Sequence, residues 1–194
     1  MIVIVAGVSG SGKTTVGAML AGRLGWPFAD ADDFHPAANI AKMRAGIPLT
    51  DDDRLPWLRA IATWMDQEIA RDAPGVITCS ALKRSYRDVL LGGRPEAQMI
   101  FLTVDRQVLA ERLAARHGHF FPRQLLSSQF DALEPPQPDE RVITVAPGPD
   151  PAATVAAIIA VLWPEGATGP SGNTGPADKT GPAGNAGGDH EAQA

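Results

Sequence analysis

The run Gly7-Val8-Ser9-Gly10-Ser11-Gly12-Lys13-Thr14 constrains this chain more than any other feature in it. It fits G-x-x-x-x-G-K-[ST] at every fixed position. Glycines at those positions let the backbone turn tightly, so successive N–H groups converge and can wrap phosphate oxygens. The apolar run Ile2–Ala6 before it reads as a buried strand. After it, Val16, Met19, Leu20 and Leu24 recur at helical spacing. Strand, glycine loop and helix N-terminus together make an anion site, to which the helix dipole adds. The candidate nucleotide contacts are Gly7, Ser9, Gly10, Ser11, Gly12, Lys13, Thr14 and Thr15. Lys13 is placed to reach the β- and γ-phosphates of a nucleoside triphosphate, and the Thr14 hydroxyl to ligate Mg2+.

The rest of the pattern fits a sheet of such units. Strands are predicted at residues 2–6, 27–29, 76–79, 99–104 and 142–145. Helices are predicted at 13–24, 37–45, 85–91, 107–116, 123–133 and 151–162. A further helix, with Pro56 in its first turn, is predicted to run to about residue 71. Five strands alternating with helices imply an α/β fold, a three-layer α/β/α sandwich around a five-stranded parallel sheet. Ligands of such sheets lie beyond the carboxyl ends of the strands.

Composition narrows the partners. Lys and Arg number 17 against 22 Asp and Glu, a net charge of −5. That balance argues against nucleic-acid binding through a broad basic face. The single cysteine, Cys79, cannot form an internal disulfide, which fits a reducing cytoplasm. No apolar run reaches the length of a membrane span, and the start of the chain lacks the basic region of a signal peptide. Between residues 165 and 194 there is no Leu, Ile, Val or aromatic residue. Residues 164–194, with a repeat of the type Thr168-Gly169-Pro170, are expected to be a disordered Gly/Pro-rich tail rather than a collagen-like trimer. Residues 1–163 are expected to form the folded domain.

A glycine loop of this kind can serve a switch GTPase, a motor ATPase or a small-molecule kinase. The N-K-x-D guanine signature is absent, and the third predicted strand ends Thr78-Cys79-Ser80 with no acid. A small-molecule kinase must hold a second substrate in line with the γ-phosphate and exclude water. It needs a carboxylate, cations and a lid. Asp30 and Asp32 follow the second predicted strand, and an extended backbone would put both on one face. One of them is suited to hold Mg2+ through water and the other to accept a hydroxyl proton. Arg112 and Arg116 are four apart on a predicted helix, followed by Gly118 as a hinge, which suggests a mobile lid closing on the phosphates. Trp57 and Trp64 share a helix face and read as core or a dimer seam. His117 and His119 read as lid residues, and Cys79 as packing.

Several stretches together resemble the P-loop gluconate kinases, the small gluconokinase family within the shikimate-kinase-like group. They are Gly7–Thr14, the Asp30-Ala31-Asp32-Asp33-Phe34-His35-Pro36 segment, Asn39 to Met43, and Gly46 to Leu58. The others are Cys79-Ser80-Ala81-Leu82-Lys83-Arg84 continuing to Asp88, Arg116 to Phe121, Gln129-Phe130 and Leu133-Glu134. Where a shikimate kinase would be expected to carry a glycine triplet, this chain has Ser80-Ala81-Leu82.

The resemblance implies a P-loop kinase fold with a mobile lid and ATP-dependent phosphorylation of D-gluconate at its 6-hydroxyl. It implies Asp32 as base or hydroxyl orienter, and Thr14 and Asp30 organising Mg2+. Lys13 and Arg116 would stabilise the transferred phosphoryl group, with Arg112 beside it. It also implies a homodimer. Gluconate needs a cation for its carboxylate and neutral groups for its hydroxyls. Arg54, Lys83, Arg84 and Arg87 supply cations, and His35, Asn39 and His119 supply polar groups. Which cation takes the carboxylate stays open, with Arg54 and Lys83 foremost. Other small hydroxy acids, a nucleotide acceptor, or a nucleotide-sensing regulator without catalysis are the alternatives.

Overall fold

β1 (Ile2–Ala6) is apolar and buried at every position, as a strand between two helical layers must be. The structure, a computed structural model, describes residues 1–105, 109 and 129–164. β1 is the centre of a five-stranded, all-parallel sheet. The other strands are β2 (Phe28–Asp30), β3 (Gly75–Cys79), β4 (Ala97–Leu102) and β5 (Val142–Val145), in the order β2-β3-β1-β4-β5. The register pairs Ile2 with both Gly75 and Ala97, so the carboxyl ends of β1, β3 and β4 lie side by side.

Alternation along β1 sends its side chains into two cores. Ile2, Ile4 and Ala6 pack with α3 (Asp51–Ala70) and α4 (Arg84–Leu91) through Trp57, Leu58, Ile61, Met65, Tyr86 and Leu90. Val3 and Val5 face α1 (Lys13–Leu24) and the helix Pro151–Leu162 through Val16, Leu20, Val155 and Ile158. This is the three-layer α/β/α sandwich. A third small cluster, Val8, Leu82 and Leu109, closes the sheet beyond the strand ends.

The ends of α1 follow from its glycines. Gly12 caps its start at φ 97° and Gly25 its end at φ 67°, conformations that cost a side chain free energy. Two expectations need correction. α3 begins at Asp51, five residues before the proline that was expected in its first turn. Thr50 and Asp53 form a reciprocal capping box there, and three aspartates occupy the dipole-favoured first turn. Pro56 therefore lies inside the helix. β2 also stops at Asp30, and a 3-10 turn follows over Ala31–Phe34. Asp30 and Asp32 are thus not related by extended backbone. α2 (Ala37–Arg44) then leads toward α3. The predicted helix at 107–116, most of the one at 123–133, the lid and the 165–194 portion of the tail lie outside the described residues.

Candidate active site

An open cavity of about 510 Å3 lies over the carboxyl ends of β1, β2 and β3. Its floor is the glycine loop. Gly7 has φ 140°, and a Cβ there would sit 2.8 Å from the Leu102 carbonyl oxygen, so no other residue fits. Ser9, Gly10, Lys13 and Thr14 line the cavity, while Gly7, Ser11, Gly12 and Thr15 shape the same loop and first turn. Lys13 Nζ donates to the Val8 carbonyl at 2.9 Å. Burial lowers its pKa from the ordinary lysine value, with Asp32 opposing.

Two acids face this floor. The Asp30 side chain caps the 3-10 turn by accepting from the Asp32 amide at 3.1 Å. Its other oxygen accepts from the Thr14 hydroxyl at 3.2 Å. Asp32, free of that capping duty, lines the cavity beside Lys13. Loss of surrounding water raises its pKa, the neighbouring Asp30 charge raises it further, and Lys13 opposes both. A carboxylate shifted upward is better matched to taking a proton near neutral pH.

The opposite wall is built by α2 and α3. The His35 ring stacks on Trp57 with centroids 4.3 Å apart and planes 10° from parallel. Trp57 is itself pinned, donating from Nε1 to the Ala31 carbonyl at 2.6 Å. Burial, then the Arg54 charge, lowers the His35 pKa to about 4, so its imidazole is neutral at pH 7. Arg54 Nη1 donates to the Leu49 carbonyl at 2.6 Å. Ile40, Met43, Ile47, Pro48 and Leu49 supply the apolar lining.

The cavity thus gathers Ser9, Gly10, Lys13, Thr14, Asp30, Asp32, His35 and Arg54 of the expected site. Arg87 has to be removed from it. Its side chain is 1% exposed and bonds both oxygens of Glu140, at 2.6 and 2.9 Å, along with the carbonyls of Leu82 and Glu134. Every face of the guanidinium is occupied by protein, and it does not line the cavity. Lys83 also lies outside the lining, in an ion pair with Asp51 at 2.7 Å. Arg84 pairs with Asp139. Arg112, Arg116 and His119 fall outside the described residues.

Gln129 and Arg44 line the cavity as well, and residue type and spacing alone do not point to either. Gln129 accepts from the Ser9 amide at 2.7 Å and donates to the Ser9 hydroxyl at 3.0 Å. It ties the helical turn at residues 129–131 to the phosphate loop, and only its place in the resemblance marked it. Arg44, at the C-terminal end of α2, lines the cavity as a second guanidinium. Cys79 lines it too, but burial pushes its thiol up to about 12, so it packs rather than attacks.

Comparison with known proteins matches residues 9–133 to the shikimate kinase family model. A gluconokinase of Gluconobacter oxydans (strain 621H) is 48% identical over 143 residues, covering 74% of this chain and 80% of that protein. The chain belongs to the gluconokinase family, within the shikimate-kinase-like group. A probable gluconokinase of Mus musculus is 40% identical over 178 residues, covering 83% of this chain and 97% of that protein. The crystal structure of a gluconokinase from Sinorhizobium meliloti 1021 is 44% identical with a TM-score of 0.70, covering 82% of this chain and 94% of that chain. Membership makes this protein a kinase with a nucleotide site at its P-loop. It also agrees with the resemblance read from the sequence. No helix among the described residues is long and apolar enough to cross a membrane.

Proposed function

We propose that this protein transfers the γ-phosphoryl group of ATP to the 6-hydroxyl of D-gluconate, giving 6-phosphogluconate. The observation that carries the reading is one cavity with phosphate-binding and acidic groups on one side and a guanidinium and a neutral imidazole on the other. That arrangement occurs in a chain 48% identical to a protein named gluconokinase and 40% identical to one named probable gluconokinase. Asp32 orients the attacking hydroxyl and accepts its proton. Lys13 shifts from the Val8 carbonyl to the β- and γ-phosphates, and Arg116 with Arg112 adds charge from the lid. Arg54 binds the gluconate carboxylate, and His35 and His119 meet its hydroxyls. A carboxylate gripped by a guanidinium fork fixes the far end of the chain and so aims the 6-hydroxyl.

Thr14 and Asp30 are the residues that would hold Mg2+. Two oxygen donors 3.2 Å apart suit a hard cation that keeps most of its shell as phosphate and water. Bound there, Mg2+ would neutralise charge on the phosphates. The reading also includes a cytoplasmic homodimer, and a domain of residues 1–163 whose tail plays no part in turnover.

The test is ADP release measured with gluconate, shikimate, other sugar acids and nucleoside monophosphates as acceptors. Gluconate should raise ATP consumption far above background and the others should not. ATP binding with no acceptor stimulating turnover would instead mark a nucleotide-sensing protein.

A further inference from the structure

We infer that Asn39 holds His35 as the tautomer with its proton on Nε2, making His35 a fixed N–H donor to an oxygen of the acceptor substrate. The inference rests on the functional reading above for the identity of that acceptor. Asn39 is 3% exposed, and its side-chain nitrogen makes two contacts. One is a bond donated to the Asp53 carbonyl at 2.8 Å. A carbonyl only accepts, so this contact settles which end of the amide points there. The same nitrogen then has its second proton directed at His35 Nδ1, 3.3 Å away. Nδ1 must accept, and in a neutral ring the proton sits on Nε2.

The geometry around this contact is rigid. Asp53 is held by Lys42 at 2.7 Å and by the Thr50 capping box. The ring is clamped against Trp57. His35 lines the cavity, and among the described residues no hydrogen bond takes its Nε2. Asn39 is therefore a positioning residue. It touches no substrate and acts by choosing which nitrogen of His35 is offered. A donor in a fixed place selects for an oxygen acceptor and against an analogue lacking it, because the donor would then be left unpaired.

The test uses the full-length protein labelled with nitrogen-15. The two-bond proton–nitrogen pattern of His35 at pH 7 should place the proton on Nε2. In Asn39→Asp, whose carboxylate can only accept, it should move to Nδ1. That variant should raise the KM for gluconate tenfold or more while kcat and the KM for ATP change by less than twofold. His35→Phe, which keeps a ring over Trp57 without a donor, should show the same KM rise, and His35→Gln should recover part of it. This pair decides the matter if Asn39→Asp does not fold. A proton on Nδ1 in the unaltered protein, or an unchanged gluconate KM in His35→Phe, would overturn the inference. If the unaltered protein fails to use gluconate at all, the functional reading falls and the donor role toward gluconate falls with it. The nitrogen pattern still reports the tautomer separately.

Discussion

The Thr14 hydroxyl donates to Asp30 across 3.2 Å, joining the first turn of α1 to the last residue of β2. The contact spans sixteen residues of chain, and both residues line the cavity. The other oxygen of Asp30 is committed to the Asp32 amide, so one carboxylate orders both the proposed cation site and the backbone that carries the proposed base.

Asp30→Asn should therefore be costly in a particular way. The Mg2+ concentration needed for half-maximal rate should rise by about 10 to 100-fold, the usual effect of disturbing a metal's supporting shell. The KM for gluconate should change little. Titration of rate against Mg2+ at saturating ATP checks this, and an unchanged Mg2+ requirement would separate Asp30 from the metal.

Arg87 and Glu140 should behave as a buried structural pair. Arg87→Ala leaves the Glu140 carboxylate buried without a partner and should destabilise the fold by about 3–5 kcal/mol. Urea unfolding measures the loss. The gluconate KM of the folded protein should stay within a few-fold. A raised KM without lost stability would return Arg87 to the substrate site.

Arg54 and Lys83 should part company. Arg54→Met should raise the gluconate KM by about 10- to 150-fold, since a charge-assisted contact is lost at about 1.5–3 kcal/mol. Lys83→Met removes a half-exposed ion pair with Asp51 and should cost less than about 1 kcal/mol of stability, with KM nearly unchanged. Steady-state kinetics of the two variants side by side would reverse the assignment if Lys83→Met were the more damaged.

Stability should fall with acid in two separate windows. His35 has a pKa of about 4 in the fold against an ordinary value of 6.5. Between those values the unfolded chain binds the extra proton, so stability drops as pH falls from 6.5 to 4. Asp53 is held down to about 2 by Lys42 and Thr50 against an ordinary 3.8. Its contribution is present above 3.8 and is lost as pH falls from there toward 2. Urea midpoints across pH should show both slopes, and His35→Phe should flatten only the upper one. An unchanged upper slope in that variant would show that His35 is not the group responsible.

Much of the architecture could be read directly because its signals are local. Glycines punctuate both ends of α1, and an unbroken apolar run marks β1 as a central strand. The start of α3 was missed because its capping box carries Asp53 where the usual sign is Glu or Gln, and Pro56 offered a stronger cue. Asp30 and Asp32 both line the cavity, but on a turn rather than the extended backbone expected, since a three-residue strand gives no periodicity from which to foresee a turn. The site's cations were legible as residue types only. Whether a guanidinium meets a ligand or a carboxylate depends on chain far away. Arg87 meets Glu140 across 53 residues and Gln129 meets Ser9 across 120, and nothing in local spacing encodes either.

Catalysis by this protein turns on the carboxylate beside Lys13 taking the proton from the attacking hydroxyl, as proposed above. Asp32→Asn keeps the shape and removes the base. A coupled assay of that variant, with calorimetric titration of ATP alongside, separates loss of the base from loss of nucleotide binding. The prediction is a kcat lower by about 10²- to 10⁴-fold, the usual worth of a general base, with ATP affinity intact. Unimpaired turnover of gluconate by Asp32→Asn would contradict it.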